Sequence, residues 1–131
     1  MKYRFPAFLI LAVAIPIGPV ALASQSIPEA QIDDRQIFWG TPVDFDTPGE
    51  VDLDAVLEAT PEYTEIRQKN IQRDTARYWI LLGNATNRAI RAVATVAEES
   101  GYDLVAKKGY LTSLDPPIAS DDITKLVLQK L

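Results

Sequence analysis

Apolar and polar positions change period sharply along the last third of the chain. Ala89, Ala92, Val93 and Val96 recur at i, i+3, i+4 and i+7, with Ile90 and Ala97 beside them and Arg88, Arg91, Glu98 and Glu99 on the other side. This spacing predicts an amphipathic helix, closed by Gly101, which tolerates the left-handed conformation of a helix C-terminus. Tyr102 to Lys107 then reads as a strand, Lys108-Gly109 as a two-residue turn, and Tyr110 to Leu114 as an antiparallel return strand. Asp115-Pro116-Pro117 stops that strand, because proline has no N–H for a ladder and restricts the residue before it. Ser120, Asp121 and Asp122 offer caps to a terminal helix at about 122–131, whose inner face is Ile123, Leu126, Val127 and Leu131.

Upstream, Val51-Asp52-Leu53 reads as a short first strand and Asp54 to Ala59 as a helical turn. Thr60-Pro61-Glu62-Tyr63 is a helix start, with Thr as N-cap, Pro at the first helical position and Glu62 near the positive end of the dipole. Tyr63, Ile66, Ile71, Thr75, Tyr78, Trp79 and Leu82 give an apolar stripe broken by Asn70, Arg73 and Arg77. Residues 61–100 are therefore expected as a helical arm. It is either one helix, with Gly83 tolerated inside at about 1 kcal/mol, or a hairpin turning at Leu82-Gly83-Asn84 or at Arg73-Asp74-Thr75. The pattern favours the turn at Gly83. The expected fold class is α+β: a small antiparallel sheet of about three short strands, the helical arm between strands 1 and 2, the strand hairpin at 102–114, and a capped C-terminal helix.

The order of four phrases carries a resemblance to the Skp/OmpH family of periplasmic chaperones. They are Val51-Asp52-Leu53 followed by Pro61-Glu62-Tyr63; Ala89-Ile90 with Val93-Ala94; Gly101-Tyr102-Asp103-Leu104-Val105; and Asp122-Ile123-Thr124. The resemblance covers Val51 to Leu131, and it implies a homotrimer that holds unfolded outer-membrane or envelope proteins in transit. In that family a long antiparallel coiled-coil arm lies between the two helical phrases, and three such arms enclose the client. Here 40 residues remain for it, roughly 60 Å as a single helix and half of that as a hairpin. Two readings follow: a short holdase, or a non-catalytic oligomeric adaptor of the cell envelope that has lost its client-enclosing arms.

At the start of the chain, Lys2 and Arg4 precede an apolar run from about Ala7 to Ile15, and Ala21-Leu22-Ala23 supplies the small residues of a cleavage site. Residues 1–23 read as a secretory signal peptide, since Pro16, Gly18 and Pro19 break the run before membrane-spanning length. The rest is expected in the periplasm, not anchored in the membrane. Residues 24–50 are rich in Pro, Asp and Gln and lack a sustained period, so they are expected as an extended lead-in. Within them, Ile37-Phe38-Trp39-Gly40 is too apolar for water. Docking on the domain as an irregular strand is the expectation, and a partner-binding motif the alternative.

Beyond residue 23 the chain keeps 11 basic against 18 acidic side chains, a formal charge of −7, which argues against nucleic-acid binding and departs from the basic character usual in the resembled family. The absence of Cys and His removes thiol nucleophiles, imidazole bases and the usual metal ligands. Asp44/Asp46, Glu98/Glu99 and Asp121/Asp122 read as linker, solvated face and cap, and no catalytic, cofactor or metal residue is expected. Asn84-Ala85-Thr86 matches a glycosylation sequon, but the resemblance points to a bacterial periplasm. The residues expected to meet a client or partner are Tyr78, Trp79, Leu81 and Leu82, within the apolar run that includes Ile80, together with Phe38 and Trp39.

Overall fold

The computed structural model describes residues 24–131. The strand expected after Gly101 forms as β3 (Leu104–Lys107), and it lies inside the sheet. Leu104 and Ala106 point to one face and Val105 to the other, and all three are fully buried. Around β3 stand β1 (Ile37–Gly40), antiparallel to it, and β2 (Pro48–Val51), parallel to it; the two-residue β4 (Asp121–Asp122) runs parallel to β2. The order is β1-β3-β2-β4. Two parallel neighbours need a crossover, and it is made by α1 (Leu53–Glu58), α2 (Pro61–Gln68) and α3 (Ala76–Ser100). A short α4 (Thr124–Leu128) ends the chain.

The α+β class stands, with a mixed four-stranded sheet in place of three antiparallel strands. The expected hairpin at 102–114 does not form. Gly109 does take a positive φ of 89°, but the chain then enters a 3-10 turn at Leu111–Ser113. Both edges of β3 are occupied by β1 and β2, so a return strand has no ladder to join. Leu111, Leu114 and Ile118 instead cover the face of the sheet that carries Leu104 and Ala106. Residues 24–50 share that task and are no detached lead-in: Ile27 and Phe45 are buried on the same face, Gln25 bridges Phe45, and the segment supplies β1 and nearly all of β2. The other face is covered by α1, α3 and α4, through Val56, Ala89, Val93, Val96 and Val127.

The strand expected at Val51-Asp52-Leu53 is β2 and ends at Val51, because Asp52 caps α1, with its Oδ1 accepting from the Ala55 N–H at 3.2 Å, and Leu53 already lies in that helix. Thr60 caps α2 as the sequence indicates, accepting from the Tyr63 N–H at 3.2 Å, with Pro61 at the first helical position. The arm turns at residues 69–75, where Asn70 has a φ of 48°, and Thr75 caps α3. This is the other tip the sequence offered. Gly83 lies inside α3 with open space around it, since the stripe from Tyr78 through Ala85 to Ala89 favours a continuous helix over a turn there. Gly101 closes α3 in the left-handed conformation, φ 75°. At the C-terminus, α4 is shorter than expected; Ile123 and Val127 are buried, whereas Leu126 is exposed. Ser120 caps nothing, because its hydroxyl turns inward.

That hydroxyl donates to Glu50 Oε1 at 2.6 Å, and Glu50 is the one charged side chain buried among the described residues, with Oε2 unpartnered. Removing the only partner of a buried carboxylate costs about 1–3 kcal/mol, whereas replacing the whole pair by apolar groups removes the desolvation penalty. Ser120→Ala should therefore lose stability in urea denaturation, and Glu50→Met/Ser120→Ala should recover at least the wild-type midpoint.

Candidate functional site at the end of the helical hairpin

α2 and α3 form an antiparallel hairpin braced by ion pairs. Glu62 receives Arg88 Nη2 at 2.8 Å and Nε at 3.0 Å, and Glu65 receives Lys69 at 2.9 Å and also pairs with Arg77. The side-chain hydrogen bonds from Arg88 hold the Glu62 carboxyl below its ordinary pKa, partial burial opposing them. Near the turn, the Ile71 N–H donates to Ile66 O at 3.0 Å and the Thr75 hydroxyl to Gln72 O at 2.7 Å.

The apolar run 78–82 spans the first turns of α3, and a helix shows its residues to different sides. Tyr78 faces α2 and is buried, which removes it from the surface expected to meet a client. Leu81 and Leu82 are half-buried. Trp79 and Ile80 point outward, 60% and 63% exposed. The indole N–H of Trp79 donates to Arg73 O at 2.8 Å, and its ring meets Tyr78 edge to face, centroids 5.2 Å apart. Arg73 stands 6.0 Å from the Tyr78 ring centre and Arg67 5.3 Å from that of Tyr63. The tip is thus a held apolar and aromatic surface. Beside it, a groove of about 280 Å³ is lined by Asp54, Leu57, Glu58, Tyr63, Tyr78 and Leu82.

Phe38 and Trp39 are not part of this surface. They lie in β1, half-buried, packed against the core that the C-terminal half of α3 completes. Docking, the expectation for this segment, is what the fold contains. Ile80 is the most exposed large apolar residue at the tip, and the unbroken run Tyr78-Trp79-Ile80-Leu81-Leu82 was its signal in the sequence.

Charge is divided between arm and body. Residues 61–91 carry six basic and three acidic side chains, whereas the remaining described residues carry five basic and fifteen acidic. The acidity belongs to the body and the hairpin is cationic. Three of the paired carboxylates have structural partners: Asp121 accepts from the Tyr102 hydroxyl, Asp122 pairs with Lys108 and accepts from Thr124, and Glu99 pairs with Lys130. Asp44 sits in a turn at φ 54°. Among the described residues no group of three acidic side chains is arranged to hold a metal, and no helix is long and apolar enough to cross a membrane. The signal-peptide segment, 1–23, lies outside the described residues. No protein-family model, no curated protein and no solved structure matches the chain.

A carboxylate whose pKa is lowered by folding stabilises the fold above its unfolded pKa and loses that contribution as pH falls through the lowered value. Arg88→Ala should therefore lower the melting temperature at pH 7. The difference from wild type should stay full above the ordinary glutamate range and shrink as pH falls through the lowered Glu62 value. Thermal melts across that range check it.

Proposed function

We propose that this chain is a small, non-catalytic, Skp/OmpH-like holdase of the periplasm, which holds apolar segments of unfolded envelope or outer-membrane proteins on the distal end of the α2–α3 hairpin. The observation that carries the reading is the exposure of Trp79 and Ile80 at the start of a 25-residue helix, in a hairpin of net positive charge. Large apolar side chains held open to water by a rigid element mark an interaction surface. The order of the family-like phrases supplies the class of partner, and the charged start with its short apolar run supplies the compartment.

Contact by a tip differs from enclosure. The eight residues of α2 span roughly 12 Å, too short a limb to wall a cavity, so each copy offers a patch. Assembly into a trimer, as the resemblance implies, would present three such patches together and raise the effective concentration of binding sites. The same short limb favours the second reading, an oligomeric envelope adaptor, in which the tip engages a folded partner.

The mature protein should suppress aggregation of an unfolded outer-membrane protein in stoichiometric amounts. Trp79→Ser/Ile80→Ser should abolish the suppression while leaving the light-scattering mass and the melting temperature nearly unchanged, because both side chains are mostly in water. If the double variant unfolds or dissociates, the tip is core or interface. Intact folding with undiminished suppression places client contact elsewhere, and no suppression by the wild type leaves the adaptor.

A further inference from the structure

α1 carries two carboxylates, Asp54 and Glu58, four residues apart and therefore neighbours on one face of the helix. Like charges at this spacing destabilise a helix. Both are exposed, and neither enters an ion pair among the described residues. Both line the groove of about 280 Å³ beside the hairpin tip, whose other walls are Leu57, Tyr63, Tyr78 and Leu82.

The same groove holds the tyrosines whose hydroxyls are left over. Tyr102 donates to Asp121 and Tyr110 to Gln31 O, whereas the hydroxyls of Tyr63 and Tyr78 have no hydrogen-bond partner among the described residues. Tyr78 is only 8% exposed, so the groove wall contains a nearly buried polar side chain that the protein does not satisfy. Arg67 and Arg73 stand over the Tyr63 and Tyr78 rings, at 5.3 and 6.0 Å, but neither lines the groove or pairs with its carboxylates. Arg67 Nη2 donates instead to Glu58 O at 3.0 Å.

Two unpaired carboxylates, two free phenol oxygens and apolar walls describe the complement of one side chain. Its end must be a cation with several donors and its stem apolar. The space is smaller than the roughly 300–1,000 Å³ that whole small-molecule ligands take. Arginine meets these conditions: its planar guanidinium offers five donors, forks onto carboxylates and stacks on aromatic rings, and its methylene stem packs on apolar surface.

We propose that the groove between α1 and the hairpin takes an arginine side chain of a bound polypeptide, with the guanidinium on Asp54 and Glu58 and the stem against Leu57 and Leu82. Tyr78 joins this groove to the tip, because its ring also meets Trp79. An apolar segment lying on Trp79 and Ile80 therefore brings a neighbouring arginine to the groove. That the ligand is a polypeptide rests on the holdase reading, whereas the preference for a guanidinium does not.

The probe is a fluorescent peptide, Ser-Leu-Val-Arg-Val-Leu-Ser, compared with versions in which the Arg is replaced by Glu or by citrulline, which has the same shape without the charge. The Arg peptide should bind at least about tenfold more tightly than either. Asp54→Asn/Glu58→Gln, at two exposed positions, should erase that difference with the melting temperature nearly unchanged. Glu29→Gln/Glu98→Gln removes the same charge from exposed positions elsewhere and should keep it. N-acetylarginine amide alone, at millimolar concentration, should shift the ring signals of Tyr63 and Tyr78 in spectra of tyrosine-labelled protein. Ring shifts with no peptide bound support the guanidinium site and remove the tip as a polypeptide site, which separates the two readings. Equal binding of the Arg and citrulline peptides, a preference that survives Asp54→Asn/Glu58→Gln, or ring signals of Tyr63 and Tyr78 that stay in place each overturns the proposal.

Discussion

Everything in this fold leans on β3 being covered on both faces and paired on both sides. The covered part of such a strand must be apolar, and Leu104-Val105-Ala106 satisfies this with no exposed atom to spare, while Lys107 stands at the exposed end. Covering both faces takes two separate groups of chain. The helices α1, α3 and α4 close one side, and the irregular segments around Ile27, Phe45, Leu111 and Ile118 close the other. Pairing both sides takes β1 from before the helices and β2 from their immediate start. The N-terminal segment is therefore as structural as the helices.

α3 packs on the sheet core through its C-terminal half, while its first turns pack on α2, with Tyr78 and Leu82 lining a groove against Asp54, Leu57 and Glu58 of α1, and leave their other side in water. This division explains why a run of five large apolar residues ends up partly buried and partly bare. Tyr78 serves the hairpin interior, and Trp79 and Ile80 serve the surface. The charge division follows the same line: the hairpin is basic and the body acidic.

The elements legible in the sequence were those with a sustained period or an explicit cap. The C-terminal half of α3 showed its stripe from Ala89 to Val96, Thr60-Pro61 and Gly101 marked helix ends, and Tyr102 to Lys107 read as a strand. The elements that escaped were too short to carry a period. β2 has four residues and shares only Val51 with the strand expected at 51–53, and Ile27 and Phe45 are single apolar residues, buried by pairings of distant segments. Leu111, Leu114 and Ile118 recur at intervals of three and four, a spacing that already argued against a strand at 110–114. The position of the turn was decided by the Thr75 cap and the Glu62–Arg88 brace against an isolated glycine whose cost a helix bears easily. At the tip, composition located the surface, but only the helix phase separated Trp79 and Ile80 from Tyr78.

The chain has two tryptophans, Trp39 half-buried in the sheet and Trp79 at the tip, so a Trp39→Phe variant reports from the tip alone. Its emission during titration with an unfolded outer-membrane protein tests most directly whether clients are held there. Contact at the tip predicts a blue shift and protection from iodide quenching that saturate at the same stoichiometry as aggregation suppression. Suppression of aggregation with the Trp79 emission unchanged would contradict it.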